Sequence, residues 1–272
     1  MISSKDVFAV SQRSVTLIMF LVLSEFATIA LSFDWYSTCS NSFSCGRSVI
    51  VSDYVGFPFW GGLRTESCGH PELQLYCVRE TTNIDIAGVT HEVGSINQET
   101  KTISIARADF ADGICGLSKL GNNTVFDPQV FEYAPGSDEF TLLYDCSKPI
   151  IDAKNINCTG GVHRYLVRSG TTPVKGSEYC SSKLTFGFSV ADYEELPRVS
   201  NPLAFWFRSG FEVKYKIDYR PCRRCEGSGG VCGYDWYTNR TTCYCQNQTT
   251  WLSQSTCPSN NLKVSLPKTG LI

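Results

Sequence analysis

The chain has 272 residues, with 24 Lys plus Arg against 26 Asp plus Glu, 42% apolar residues and 14 cysteines. That balance describes a folded chain of one or two domains, and a net charge of -2 offers no global attraction for nucleic acid or an anionic membrane. Fourteen cysteines are far too many for an ordinary cytosolic protein, whose thiols stay reduced, so an oxidising compartment is expected.

At the N-terminus, Lys5 and Arg13 precede an apolar run from Val15 to Leu31, and Ala30-Leu31-Ser32 offers a small-x-small cleavage site. Residues 1–32 therefore read as a signal peptide, with a retained anchor as the alternative that Glu25 inside the run disfavours. No later segment has the apolar length to span a bilayer, which makes the expected mature chain secreted and extracellular.

Charge is unevenly spread along that mature chain. Residues 33–146 hold 6 Lys plus Arg and 15 Asp plus Glu, whereas residues 147–272 hold 16 and 9, leaving segments of -9 and +7. Cysteines divide as well: Cys39, Cys45, Cys68, Cys77, Cys115 and Cys146 precede the split, and Cys158, Cys180, Cys222, Cys225, Cys232, Cys243, Cys245 and Cys257 come after it. Even numbers on each side suggest two modules, 33–146 and 147–272, each closing its own bridges, with connectivity left open.

Strand signals dominate the chain. Thr82–Ile86, His91–Ile96 and Thr102–Ile105 alternate apolar and polar residues, and the last two flank Asn97–Lys101 as a hairpin burying Val93, Ile103 and Ile105. Phe140–Tyr144, Leu184–Val190 and Phe211–Tyr219 continue the alternation, and the best helical candidate is one turn around Leu203–Arg208. The expected fold is all-β, small and disulfide-rich, with two tandem cysteine-stapled modules and little helix. Sequons at Asn122, Asn157, Asn239 and Asn247 sit among turn residues where a glycan could face solvent, although the middle residue at Asn157 is a cysteine.

Several stretches together carry a family likeness. Phe43-Ser-Cys45-Gly46, Val55-Gly-Phe57-Pro58-Phe59-Trp60, Cys68-Gly69-His70-Pro71 through Cys77, Ile103 to Asp109 and Cys115 resemble the galacturonan-binding domain of plant wall-associated receptor kinases. Gly210-Phe211-Glu212-Val213, Cys222-Arg-Arg-Cys225, Ser228 to Tyr234 and Cys243-Tyr-Cys245 resemble the cysteine-rich domain that comes next in the same proteins, including the leaf-rust-resistance-like branch. The resemblance implies an extracellular binding module for an acidic cell-wall polysaccharide, pectin or galacturonan. A second reading is a truncated ectodomain acting on other receptor-kinase ectodomains as a decoy or co-receptor. Neither a membrane span nor a Gly-rich phosphate loop or other kinase signature comes after these motifs, so ligand recognition rather than signalling is what the resemblance extends to this chain.

Chemistry selects the ligand candidates. Aromatic faces stack on sugar C–H groups, which singles out Tyr54 and Trp60, with Trp35, Phe57 and Phe59 nearby, although an aromatic-Pro-aromatic run is also a core signature. Arginine forks suit uronate carboxylates, giving Arg47, Arg64 and Arg107 in the first module, alongside Arg79, Lys101 and Lys119. Since a net -9 surface repels a polyanion, either calcium bridges carboxylates or the ligand reaches the basic second module, where Arg220, Arg223 and Arg224 crowd around Cys222 and Cys225. Lys214 and Lys216 share a strand face there and also read as an ordinary solvated face. No cofactor is expected beyond such a calcium bridge.

Catalysis has no candidate. His70, His91 and His163 lie in no recognisable catalytic motif, and Glu194-Glu195, read as adjacent strand residues, would point to opposite faces. The CxxC and CxC spacings of Cys222, Cys225, Cys243 and Cys245 read as a disulfide knot rather than a zinc site, because secretion oxidises thiolates.

Overall fold

In a computed structural model, residues 34–46, 54–116, 121–158, 163–170, 174–196, 207–246 and 254–258 are described. The leader expected at 1–32, Arg47, Lys119, most of the turn expected at Leu203–Arg208 and the Asn247 sequon lie outside them.

The first sheet is an antiparallel meander of β1 (Leu75–Val78), β2 (Thr81–Ile86), β3 (Val89–Asn97) and β4 (Thr102–Arg107). Arg79-Glu80 and Ala87-Gly88 form its two-residue turns, all four residues with positive φ, the conformation that matches strand twist in a tight hairpin. At the third turn Asn97 Oδ1 accepts from the amides of Glu99 and Thr100, fixing the loop expected there. Val93, Ile103 and Ile105 are buried as the alternation requires.

The sheet does not end at β4. β5 (Phe131–Tyr133) forms its far edge, and β10 (Phe211–Tyr215) lies between β4 and β5, pairing antiparallel with both. Between those two strands the chain builds a second antiparallel sheet from β6 (Ser137–Cys146), β7 (Lys154–Asn157), β8 (His163–Arg168) and β9 (Cys180–Ser189), in the order β7-β8-β6-β9. Phe140, Leu142, Leu166, Leu184, Phe186 and Phe188 form its core, joined by Phe110 and Ile114 from just after β4 and by Phe207 from just before β10. The sheets meet closely: a Cβ on Gly187 would lie 2.2 Å from the Phe211 ring, so only glycine fits there.

A third unit closes the described chain: helix α3 (Arg220–Gly227) and a hairpin of β11 (Val231–Asp235) and β12 (Arg240–Tyr244). Its bridges Cys222–Cys232 and Cys225–Cys243 are buried in the same core as the first sheet, and Cys245–Cys257 packs beside them. Pro221 in the first turn of α3 is well placed, since its missing N–H has no partner to lose there. Two short helices, α1 (Trp35–Ser40) and α2 (Val190–Glu195), complete the regular structure named here.

The mostly β, disulfide-rich architecture agrees with the pattern of alternation. The division at residue 146 does not. All fourteen cysteines are paired, but Cys115–Cys158 and Cys146–Cys180 cross that point, while Cys39–Cys68 and Cys45–Cys77 stay before it. Physically, 34–107 is completed by β10 and the C-terminal knot, and the second sheet is an insertion between β5 and β10. Two smaller expectations change too. Phe211–Tyr219 is strand only to Tyr215, and Glu194-Glu195 lies on α2, begun by the Ser189 hydroxyl accepting from the Asp192 amide. Non-reducing peptide mapping of the protein should recover Cys115 linked to Cys158 and Cys146 linked to Cys180; pairs confined to either side of residue 146 would contradict the inserted sheet.

His91 gives the fold a pH dependence. Its ring is fully buried on β3, with Nδ1 donating to the Val89 carbonyl at 2.9 Å and Nε2 facing the Thr124 hydroxyl at 3.4 Å. That hydroxyl also accepts from Arg107, so a charged imidazole would sit beside a guanidinium. Burial, opposed by the Val89 bond and aided by Arg107, holds the imidazole pKa down at about 4. The unfolded state therefore takes up a proton first as pH falls, and stability drops between about pH 6.5 and pH 4, by roughly 3 kcal/mol in all. Urea unfolding at pH 7 and pH 4.5 should show most of this loss, and His91→Gln should flatten it.

Candidate functional site

Two adjoining clefts form where the β11–β12 hairpin meets the turns after Trp60. The hairpin seats tightly, because at Gly233 a Cβ would stand 2.2 Å from the Tyr244 ring and 2.5 Å from the Ser67 carbonyl. Trp236 Nε1 donates to the Gly69 carbonyl at 3.0 Å and Trp60 Nε1 to the His70 carbonyl at 2.9 Å, while the two indoles meet edge to face at 5.4 Å. Trp60 is thus a half-buried wedge under the hairpin, anchoring the site rather than presenting a free face.

The first cleft, about 290 Å³, is walled by Trp35, Trp236, Tyr237 and Tyr244, with Glu66 and Asp235 among its polar lining. Trp35 stacks on Tyr244 at 5.8 Å and 21°. Burial pushes the Tyr244 hydroxyl up to about 12, so it stays protonated and donates to the Ser67 carbonyl. Asp235 shapes the hairpin turn by accepting from the Tyr237 and Thr238 amides and the Thr238 hydroxyl, which together lower its pKa.

The second cleft, about 480 Å³, is cationic. Lys216, Arg224 and Arg240 line it with His70, Asp218 and Asn239. Asp218 is engaged by Arg220, whose guanidinium donates to both carboxylate oxygens at 2.9–3.1 Å and holds the acid down at about 2. Lys216 donates to the Pro128 carbonyl. Arg224 and Arg240 are exposed and have no ion pair or hydrogen bond among the described residues. Tyr234 lines both clefts, its ring 4.9 Å from His70 and its hydroxyl donating to Asn239 Oδ1 at 3.0 Å. The Asn239 sequon therefore sits on the rim of the cationic cleft. Asn122 and Asn157 are exposed elsewhere.

Several arginines expected at a ligand site are structural. Arg64 is 1% exposed: Nε donates to the Phe59 carbonyl at 3.0 Å, Nη1 to those of Cys39 and Asn41, and Nη2 to that of Cys68 at 3.1 Å. Burial lowers its pKa, an effect that the nearby Tyr54 and Tyr219 only partly offset. Its donors are spent on backbone carbonyls, and Tyr54 lies half-exposed beside it. Arg107 is also buried, bonded to Asp109 at 2.7 Å, to the Asn122 carbonyl and to the Thr124 hydroxyl. Phe57 and Phe59 are core. Of the three arginines around α3, Arg220 is tied to Asp218, Arg223 is exposed but does not line the cleft, and Arg224 does. Lys214 pairs with Glu132 at 3.7 Å. The knot's CxxC sulfurs are bridged to Cys232 and Cys243, and its CxC sulfurs to Cys225 and Cys257.

Sequence reasoning passed over Arg240, Trp236 and Tyr237. Their signal is present in Asp235-Trp-Tyr-Thr-Asn239, an aromatic pair inside a turn between two cysteine-bearing strands. Arg64→Ala should leave four carbonyls without a donor and destabilise the fold by at least about 3 kcal/mol, seen as a lower urea midpoint or a lower yield of folded protein, whereas Arg223→Ala should leave both unchanged.

Residues 39–107 match the family model described as wall-associated receptor kinase galacturonan-binding, and residues 155–248 match that described as wall-associated receptor kinase C-terminal. Among curated proteins, the chain is 31% identical over 80% of its length to the leaf rust 10 disease-resistance locus receptor-like protein kinase-like 2.4 of Arabidopsis thaliana. It is 32% identical over 78% of its length to the 2.8 relative from the same plant. It spans only 34% and 22% of those two proteins. No solved structure matches.

Proposed function

We propose that this chain, whose residues 39–107 and 155–248 match in order the wall-associated receptor kinase galacturonan-binding and C-terminal family models, recognises an acidic, pectin-type polysaccharide outside the cell through its cationic cleft. The observation that carries this reading is the pair Arg224 and Arg240, two guanidinium groups unpaired among the described residues, lining one cleft with His70 from the stretch that matches the galacturonan-binding model. Planar forks of this kind pair bidentately with carboxylates, and a polymer bearing a carboxylate on each sugar offers them in series. Lys216 adds a third positive charge, and the one acid in the lining, Asp218, is neutralised by Arg220. The relatives are named as kinases, and nothing of that activity is assigned to this chain. The seven disulfides suit an oxidising extracellular space, and the leader at 1–32 suits export to it.

The cleft is exposed, so its attraction for a polyanion is screened by salt over about 10 Å at 0.1 M. Arg224→Ala combined with Arg240→Ala should weaken binding to de-esterified homogalacturonan about 2- to 30-fold at low salt and flatten its salt dependence. Titrations on the full chain check this, with Asn239→Gln as a parallel protein because a glycan there would stand on the cleft rim. An added chelator separates direct pairing from calcium bridging: binding that disappears with calcium removal would transfer the contact to carboxylates. Unchanged affinity in the double variant overturns the assignment of this cleft.

A further inference from the structure

We infer that the aromatic cleft is a second subsite, one that takes an uncharged pyranose ring of the same polymer. This rests on the cationic-cleft proposal for the identity of the polymer but on separate residues for the site. Tyr237 is 99% exposed and Trp236 38% exposed, a pair of large rings left in water at the tip of a hairpin. The turn does not need the tyrosine ring, since it is held by the Asp235 carboxylate through backbone amides and the Thr238 hydroxyl. Flat aromatic faces beside the Trp35–Tyr244 stack are the surface on which the C–H face of a sugar ring packs.

A second observation is independent of the rings. Thr242 lines this cleft, is 3% exposed, and its hydroxyl has no hydrogen-bond partner among the described residues. Buried hydroxyls are almost always paired, so an unpaired one in the wall of this cleft is a donor and acceptor that the fold itself does not use. Charge then selects the ligand. Glu66 and Asp235 are the charged residues in the cleft lining, and no cation lines it among the described residues. A uronate would be repelled there, whereas sugar hydroxyls donate readily to carboxylate oxygens. At about 290 Å³ the cleft sits at the small end of ligand pockets, suited to a single ring.

Tyr234 is a buried wall shared by both clefts, so one chain spanning the two would place an uncharged residue on the aromatic side and a charged one on the cationic side. Within one backbone the uncharged residue with the same ring is a methyl-esterified uronate. A neutral side-chain sugar shares the chemistry, and the test separates the two.

The test uses the full chain, calorimetric titration, and three oligomer sets of equal length: de-esterified homogalacturonan, partially methyl-esterified homogalacturonan and neutral galactan. Wild type should bind the partially esterified set most tightly. Tyr237→Ala, a change at a fully exposed position, should lower that affinity about 2- to 10-fold and leave the de-esterified set unchanged. Thr242→Val should lower it similarly while keeping or raising the melting temperature, because an unpartnered buried hydroxyl is removed. If both variants bind the partially esterified set as wild type does, the subsite is wrong. Preference for galactan, lost in the Tyr237 variant, keeps the uncharged-sugar subsite but overturns its shared-backbone occupant. Loss in the Tyr237 variant with no effect of the Arg224 and Arg240 changes would sink the cationic-cleft reading and leave this one standing.

Discussion

The pairing of β10 with both β4 and β5 is the interaction on which the rest of the architecture depends. Without Phe211–Tyr215 in place, β4 would be an edge, its backbone groups unpaired beside a row of buried isoleucines. The strand returns only after the whole second sheet has been inserted, so this closure is non-local and brings the chain's later third against its beginning. The segment after β10 is then fixed in place. Lys101 Nζ donates to the Ile217 carbonyl, Tyr219 donates to that of Phe57, and burial keeps the Tyr219 hydroxyl protonated by pushing it up to about 12. From there α3 and the last hairpin lie over the turns after Trp60, and both clefts appear along the contact.

Charge is reorganised by the same closure. The segments of -9 and +7 do not form two modules with opposed surfaces, because acidic β1–β4 shares a sheet with basic-flanked β10. Cations of the first segment go inward: Arg64 binds carbonyls under Phe59, and Arg107 is neutralised by Asp109. Buried guanidinium groups are tolerated when their N–H donors are satisfied, and these work as cross-links between turns. Cations of the later segment stay at the surface, and Arg224 and Arg240 converge only because a helix and a hairpin flank one cleft. The site is a property of the seam, with His70 and Glu66 supplied from one side and the hairpin from the other.

By itself the sequence determined what depends on neighbours along the chain. Alternation located β2, β3, β4, β6 and β9, since side-chain direction in a strand repeats every two residues whatever the partner. Cysteine number and the ordered motifs pointed to a bridged chain resembling the wall-associated receptor kinase domains, in line with the seven disulfides and the two family-model matches. Short helices were less legible. At α2 and α3, six and eight residues carry too little periodicity to register, and their starts are set by Ser189 and Pro221.

Only the tertiary structure decided which residues meet. An even six-to-eight cysteine count is equally compatible with bridges inside or across a boundary, and the choice of Cys115 with Cys158 is dictated by where the second sheet is inserted. An arginine looks the same in sequence whether its fork will reach a sugar or the carbonyls of its own backbone, so Arg64 and Arg224 were indistinguishable until burial separated them. Trp60 became a wedge and Trp236 a wall for a similar reason. Composition specifies what a side chain can bind, but long-range strand pairing specifies which of its faces is left to bind it.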